Sequence, residues 1–262
     1  MYAFDIERPT SVADAITALA TEDAQALSGG QTLIPTLKQR LASPSKLVSL
    51  TGISEMQGIE TSGDTVRIGG ASTHATVAAG VASAYPALAS VAARIGDPAV
   101  RNRGTIGGSL ANNDPSACYP AAALGSGATI ITNSREIAAD DYFQGMFVTA
   151  LEEGEIVTGV SFPVPQKANY QKFIQPASRF PLVAVFVAKY SDGVRVAVTG
   201  ASNDGVFRWT EAEEALSANF SADAISGLTM SSDDLIADLH GCADYRAHLI
   251  KVMTGRAVTD AA

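Results

Sequence analysis

Two glycine-rich segments constrain this chain more than any other feature: Ser28-Gly29-Gly30-Gln31-Thr32 and Thr105-Ile106-Gly107-Gly108-Ser109. The first follows the short apolar run 24–27 and precedes residues 32–41, whose apolar positions 33, 34, 37 and 41 keep close to helical period. Pro35 falls in the first turn of that helix, where a missing N–H does no harm. Residues 46–50 then read as a strand, giving a β-α-β unit whose first turn is Ser-Gly-Gly-Gln. Without Cβ atoms, such a turn lets the backbone approach a ligand closely and reach positive φ. The free N–H groups that open the following helix then favour an anion. The second segment repeats these ingredients. Glycine pairs also mark ordinary turns, and the chain has 23 glycines. Spacing alone therefore leaves turn and ligand loop both open.

The rest of the chain supports two kinds of architecture. Residues 11–20 predict an alanine-rich helix with Ser11 or Thr10 as N-cap. A second α/β block begins with a strand at 66–68 that enters Gly69-Gly70. Helices near 73–81 and 86–95, the loop 96–113, a helix near 116–124 and strands at 128–132 and 156–164 complete it. Pro163 and Pro165 mark a boundary. Beyond it, strands at 170–174, 182–190 and 194–199, with the turn Ser191-Asp192-Gly193 between the last two, precede helices near 210–217, 222–228 and 244–254. That order predicts a small α+β domain. The expected division is residues 1–164, in subdomains of about 1–56 and 57–164, followed by 165–262.

Composition narrows the function. The 262 residues are 47% hydrophobic and 17% charged, which suits a globular chain with a substantial core. The net charge is -9, and the 18 Lys and Arg are scattered, with Arg94, Arg101 and Arg103 the closest grouping. That argues against a nucleic-acid partner, which a basic stripe would mark. Cys118 and Cys242 make no CxxC, and His74, His240 and His248 make no HExxH, so no metal is expected in this chain. No P-loop, Rossmann fingerprint or GxSxG elbow is present. His74 reads as a helix-start residue, Asp140-Asp141 as a solvated pair or helix N-terminal acids. No acid–base constellation emerges. Met1 to Arg8 shows no basic-then-apolar signal pattern, and no run approaches the roughly 20 apolar residues of a membrane helix. The expectation is a cytoplasmic protein without a membrane span.

Longer strings carry a family resemblance. LSGGQTLIP (27–35) contributes, and DPAVRNRGTIGGSLANNDP (97–115) contributes more because it is long and idiosyncratic. LEEGEIV (151–157), YQKFIQPASRF (170–180) and ADYRAHL (243–249) extend the match over essentially the whole chain. With these strings the chain resembles the FAD-binding medium subunits of molybdenum hydroxylases, of the carbon-monoxide-dehydrogenase-like and xanthine-dehydrogenase-like kinds. The resemblance implies an α+β protein: a two-subdomain α/β FAD-binding domain of the PCMH type, then a C-terminal α+β domain with a three-stranded antiparallel sheet and helices.

It also implies FAD as cofactor, cradled by Leu27, Ser28, Gly29, Gly30, Gln31, Thr32 and Leu33 and by Thr105, Ile106, Gly107, Gly108 and Ser109. The loop N–H groups would hold the pyrophosphate, assisted by the hydroxyls of Thr32, Thr105 and Ser109. Ile95 matches an apolar flavin contact, Val157 a backbone contact, and Lys172 a flavin-proximal lysine. Core packing would equally account for Ile95 and Val157, and a solvated strand position for Lys172. Arg101 and Arg103 stay outside the expected site. Cys118 stands where many relatives have an aspartate that accepts from flavin hydroxyls. A thiol does this weakly, which leaves three alternatives: Asp114 takes the contact, a backbone group takes it, or the contact is absent. The implied partners are a large subunit with a molybdenum cofactor and a small subunit with 2Fe–2S clusters. The implied role is an oxidoreductase subunit passing electrons through FAD to NAD, a quinone or dioxygen. A stand-alone flavin oxidoreductase and a flavin-free assembly subunit are the competing readings.

Overall fold

Parallel strands cannot be joined by a tight turn, so each parallel step needs a crossover element. The computed structural model, which describes residues 1–261, shows this at the N-terminus. Strand β1 (Asp5–Glu7), helix α1 (Val12–Leu19), β2 (Ala24–Leu27), α2 (Leu33–Lys38) and β3 (Lys46–Ser49) alternate, and the strands form a parallel sheet in the order β1-β3-β2. Ser11 caps α1 by accepting from the Asp14 N–H, which satisfies one of the donors every helix start leaves open. Ala15, Ala18, Val48, Leu50, Ile53 and Met56 make the small core beneath, closed by Ala71 and Ile156 from the next unit.

That next unit is antiparallel. It comprises β4 (Ile59–Ser62), β5 (Thr65–Gly69), α3 (His74–Gly80), α4 (Pro86–Ala93), α5 (Pro98–Arg101), α6 (Ile106–Asn112) and α7 (Tyr119–Ser126). There follow β6 (Thr129–Thr132), β7 (Glu136–Ala138), α8 (Ala139–Tyr142), the hairpin β8 (Phe143–Gly145) and β9 (Val148–Thr149), and β10 (Val157–Pro163). The sheet order is β4-β5-β10-β6-β7, so the last strand returns to the centre. The helix expected from residue 116 begins at Tyr119. Pro120 sits in its first turn, where its fixed φ and missing N–H suit a helix start.

The chain changes sheet between Pro163 and Lys167. Strands β11 (Lys167–Ile174), β12 (Pro181–Lys189), β13 (Val194–Ser202) and β14 (Gly205–Arg208) form a four-stranded antiparallel sheet. One strand more than expected is present. The fourth is a short run turned back at Asn203-Asp204, paired through Ala197–Arg208, Val198–Phe207 and Ser202–Gly205, and too short to show alternation. Helix α9 (Thr210–Ala218) and helix α10 (Ala243–Thr259) follow; the expected helix at 222–228 is a 3-10 turn, Ala222–Ile225.

Strand β12 explains how the parts cohere. Side chains alternate across a strand, yet all but the last residue of β12 are buried. Ala184, Phe186 and Ala188 join the core of the middle unit around Tyr85, Tyr119 and Ala123. Val183, Val185 and Val187 pack the other way, with Leu216 of α9 and Ile250 and Met253 of α10. Asp140 of α8 accepts from Arg195 at 2.7 Å and from Arg208 at 3.1 Å, tying the middle unit to the last sheet. Among the described residues, no helix is long and apolar enough to cross a membrane.

Arg246 of α10 is buried. Its Nη1 donates to the Leu182 and Gly200 carbonyls, both at 2.7 Å, and its Nη2 to Asp238 at 2.8 Å. Arg246→Met keeps the aliphatic bulk but strands two buried carbonyls, at about 1–3 kcal/mol each. The urea unfolding midpoint should fall by the equivalent of roughly 2–6 kcal/mol with an unchanged slope. An unshifted midpoint would mean that these bonds do not hold the sheet.

Candidate functional site

A cavity of about 480 Å³ opens between the first and middle units, within the roughly 300–1,000 Å³ of small-molecule pockets. Residues 27–33 form one wall, Gly104, Thr105 and 107–109 the second, with His74, Ile95, Val157 and Phe180 completing it. Of the sixteen residues the sequence assigns to a cofactor, the structure thus brings thirteen to one cavity.

The two glycine segments do different work. At the first, Gly30 adopts φ +68 at the turn into α2, a region in which an L side chain is strained. Among the described residues, nothing accepts from the backbone N–H groups of Gly29, Gly30, Gln31 and Thr32. The Thr32 hydroxyl is likewise not used as a helix cap. The second segment has spent its donors. Ile106 N–H donates to Ser72 O at 3.1 Å, Gly107 N–H to Gly70 O at 2.9 Å, Gly108 N–H to Thr105 Oγ1 at 3.2 Å and Ser109 N–H to Thr105 O at 3.0 Å. It braces the site, and the donors left without an acceptor among the described residues belong to the first loop.

Close backbone packing accounts for the glycines. A Cβ on Gly29 would collide with the Arg103 carbonyl and lie 2.5 Å from Gly104 Cα; one on Gly107 would lie 2.7 Å from Gly70 O. Real contacts are not that short, so the two loops can touch only without side chains. The Ser28 and Thr105 hydroxyls complete the joint with a 2.7 Å hydrogen bond.

His74 opens α3, capped by Thr73. Its ring is 4% exposed, lies 5.3 Å from the Tyr119 ring, and presses Nε2 so near Gly104 that a Cβ there would stand 2.5 Å away. Burial, reinforced by Arg101, pushes its pKa down to about 4. The imidazole is neutral, and its buried Nδ1 has no partner among the described residues. Arg101 Nη1 also donates to the carbonyls of Ile95 and Gly96 at 3.0 and 2.9 Å, fixing the turn that presents Ile95. Glu155, on the opposite rim, accepts from Arg135, Thr132, Ser134 and the Glu152 N–H. These bonds, that from Arg135 foremost, hold its pKa at about 2. Phe180 reaches the cavity from a turn in which Ser178 and Arg179 both have positive φ.

Ile106, Cys118 and Lys172 do not line the cavity. Ile106 is buried in the middle core. Lys172 Nζ donates to Arg94 O at 2.8 Å and to Cys118 Sγ at 3.4 Å, behind the wall. Asp114, not Cys118, lines the cavity. Sequence reasoning missed His74, Gly70, Gly104 and Phe180 as site residues. The strand-end pair Gly69-Gly70, followed by Thr73-His74, was the signal that could have found the first two.

Four unused N–H groups and a hydroxyl at one wall, with Ile95, Val157 and Phe180 elsewhere, fit a ligand that joins an anionic diphosphate to a flat apolar ring. A flavin dinucleotide is a ligand of that kind. Residues 2–165 match the family described as the FAD binding domain in molybdopterin dehydrogenase, and the chain belongs to that family, with FAD as its cofactor. It is 35% identical to the nicotine 6-hydroxylase medium subunit of Paenarthrobacter nicotinovorans, over 97% of this chain and 95% of that one. It is 33% identical to the carbon monoxide dehydrogenase medium chain of Afipia carboxidovorans, over 98% and 96%. Among solved structures, quinoline 2-oxidoreductase from Pseudomonas putida 86 superposes with a TM-score of 0.88 at 30% identity, covering 98% of this chain and 96% of that one.

Two outcomes follow from this geometry. Gly29→Ala forces the loops apart, and FAD affinity measured by fluorescence quenching should fall by about tenfold or more while far-UV circular dichroism is retained; unchanged affinity would refute the close-packing argument. Glu155 has a folded pKa lowered from 4.5 to about 2. Its stabilisation is present above the unfolded value and is lost as pH falls through the folded one. The melting-temperature gap between the wild type and Glu155→Gln should therefore be full at neutral pH and close between about pH 4.5 and 2. A gap independent of pH would contradict the assignment.

Proposed function

We propose that this chain is the FAD-binding electron-transfer subunit of a molybdenum-containing hydroxylase or dehydrogenase. It would receive electrons from 2Fe–2S clusters of a small partner subunit and pass them to an external acceptor, with substrate oxidised at the molybdenum cofactor of a large subunit. One observation carries this reading: the cavity offers binding donors but no machinery for proton transfer to or from a substrate. Glu155 is kept ionised by its donors, and His74 is neutral, buried and packed at a tilt against Tyr119. Neither bonds the other, and no nucleophile–base pair lines the walls. The named relatives, a medium subunit of nicotine 6-hydroxylase and a medium chain of carbon monoxide dehydrogenase, support the same division of labour.

Bound FAD supplies two-electron redox chemistry and can exchange electrons singly or in pairs. The protein binds and orients it. In this reading the N–H groups of Gly29, Gly30, Gln31 and Thr32 hold the diphosphate, with the Thr32 and Ser109 hydroxyls beside them. Leu27, Ser28, Leu33, Thr105, Gly107 and Gly108 shape the cradle, and Ile95 and Val157 flank the ring. Cys118, Lys172 and Ile106 support the wall from behind.

Affinity purification of the tagged chain from its native host tests the proposal. The expected complex is yellow and contains two further subunits, molybdenum and iron, and its flavin bleaches on addition of the complex's substrate. A flavin-loaded chain that purifies without molybdenum or iron and is reduced directly by an organic substrate would overturn the reading in favour of a stand-alone oxidoreductase.

A further inference from the structure

Cys118 and Lys172 are 54 positions apart in sequence, yet the fold buries them together with Nζ 3.4 Å from Sγ. A lysine rarely goes this deep without a carboxylate. Among the described residues the one oxygen that accepts from Nζ is the Arg94 carbonyl, at 2.8 Å, and that bond aims the nitrogen. Arg94 itself donates Nη1 to Tyr170 O and Nη2 to Lys172 O, so the β11 backbone that carries Lys172 is fixed as well. The Tyr170 hydroxyl is buried, has no hydrogen-bond partner among the described residues and lies beside the thiol. The pair is thus a preorganised nitrogen–sulfur contact within an unfinished polar cluster.

Its position matters too. Ala117, next to Cys118, and Ile95, next to Arg94, both line the cavity. Cys118 thus adjoins a lining residue in sequence, and so does Arg94, whose carbonyl holds Lys172. Reduced flavins give electrons to dioxygen, and hydrogen peroxide is the common product of that side reaction, so oxidant can arise in that cavity.

We propose that Cys118 and Lys172 are a redox modification site, at which peroxide joins Sγ and Nζ through a single oxygen as a sulfur–oxygen–nitrogen bridge. The S–H bond and one N–H bond of the amine break, and an S–O and an O–N bond form. Two molecules of hydrogen peroxide are reduced, and three waters leave. The sulfur and nitrogen together lose four electrons; a dithiol reductant returns four electrons and four protons, releasing thiol, amine and one water. The bridge removes the lysine's capacity for positive charge and fixes β11 to the start of α7, directly behind the cavity wall. Exposed Cys242 has no comparable neighbour and would follow ordinary thiol oxidation instead.

The test uses the full chain carrying Cys242→Ser, so that Cys118 is the only thiol, and adds hydrogen peroxide directly, which makes the result independent of flavin turnover. Peptide mapping by mass spectrometry should show the Cys118 and Lys172 peptides joined, with the mass of one oxygen less two hydrogens added to their sum. The joined species should disappear on dithiol treatment. In Lys172→Met the joined peptide should be absent and Cys118 should be recovered as thiol or in a higher oxidation state. A joined peptide absent from the lysine-containing chain, with Cys118 as free thiol or sulfinic acid and Lys172 unmodified, would overturn the proposal. So would the same joined mass recovered from Lys172→Met, which has no amine at that position. Because the primary readout is made with both residues in place, a variant that fails to fold does not spare the proposal.

Discussion

Backbone meets backbone at the centre of this molecule, and the rest of the structure is arranged to permit it. Gly29 lies on Arg103-Gly104, Gly107 on Gly70, and Gly70 on the Val157 carbonyl, each at a separation that no side chain tolerates. These contacts join a parallel sheet, an antiparallel sheet and the strand that returns to the middle of the latter. The N–H of Gly107 and the carbonyl of Gly70 form a hydrogen bond within this joint, so the approach is satisfied electrostatically as well as sterically. The cost falls on conformational entropy, since glycine gives up the most freedom on folding. The bordering elements meet it through caps at Thr73 and Thr105 and the Ser28–Thr105 hydroxyl pair.

The C-terminal sheet is not an appendage on this frame. One face of β12 belongs to the middle core and the other to the core under α9 and α10. Wall residues such as Phe180, and the Lys172 cluster behind the wall, are therefore positioned by a strand buried on both sides. Asp140 bridging Arg195 and Arg208, and Arg246 holding the Leu182 and Gly200 carbonyls, act at opposite ends of the same sheet. Exposed pairs contribute little by themselves, but Arg246 is buried and its carbonyl partners would otherwise lack a donor.

Much of this was legible in the residues. The β-α-β start with its Ser-Gly-Gly-Gln turn, the strands near 66–68, 128–132, 156–164, 170–174, 182–190 and 194–199 and the long helix near the C-terminus could all be read from the residues. The glycine segments marked the site, and the 97–115 string made the reading specific. What stayed hidden has physical reasons. The strand Gly205–Arg208 is held by its hairpin pairing, with too few residues to show a period. Two of the second loop's donors are consumed by Gly70 and Ser72, partners more than thirty positions away that no local pattern reveals. His74 looked like a helix start, which it is, and only tertiary packing against Gly104 and Tyr119 makes it a wall of the cavity. Cys118 stood out as a departure from its relatives, but that it faces Lys172 depended on a contact between α7 and β11.

The four idle N–H groups of the first loop have a thermodynamic consequence. A ligand that binds only the folded chain adds RT ln(1 + [L]/Kd) to its stability, about 2.7 kcal/mol at a hundredfold excess over Kd. In the proposed site FAD would span the joint between two units, and that increment would fall on the surface where they separate. The small N-terminal core beneath the first loop is the part with least apolar burial of its own. Cofactor supply then becomes a fold-stability variable: a cell short of flavin would hold this chain in a form whose N-terminal unit opens more often, and regions that open locally are where proteolysis begins.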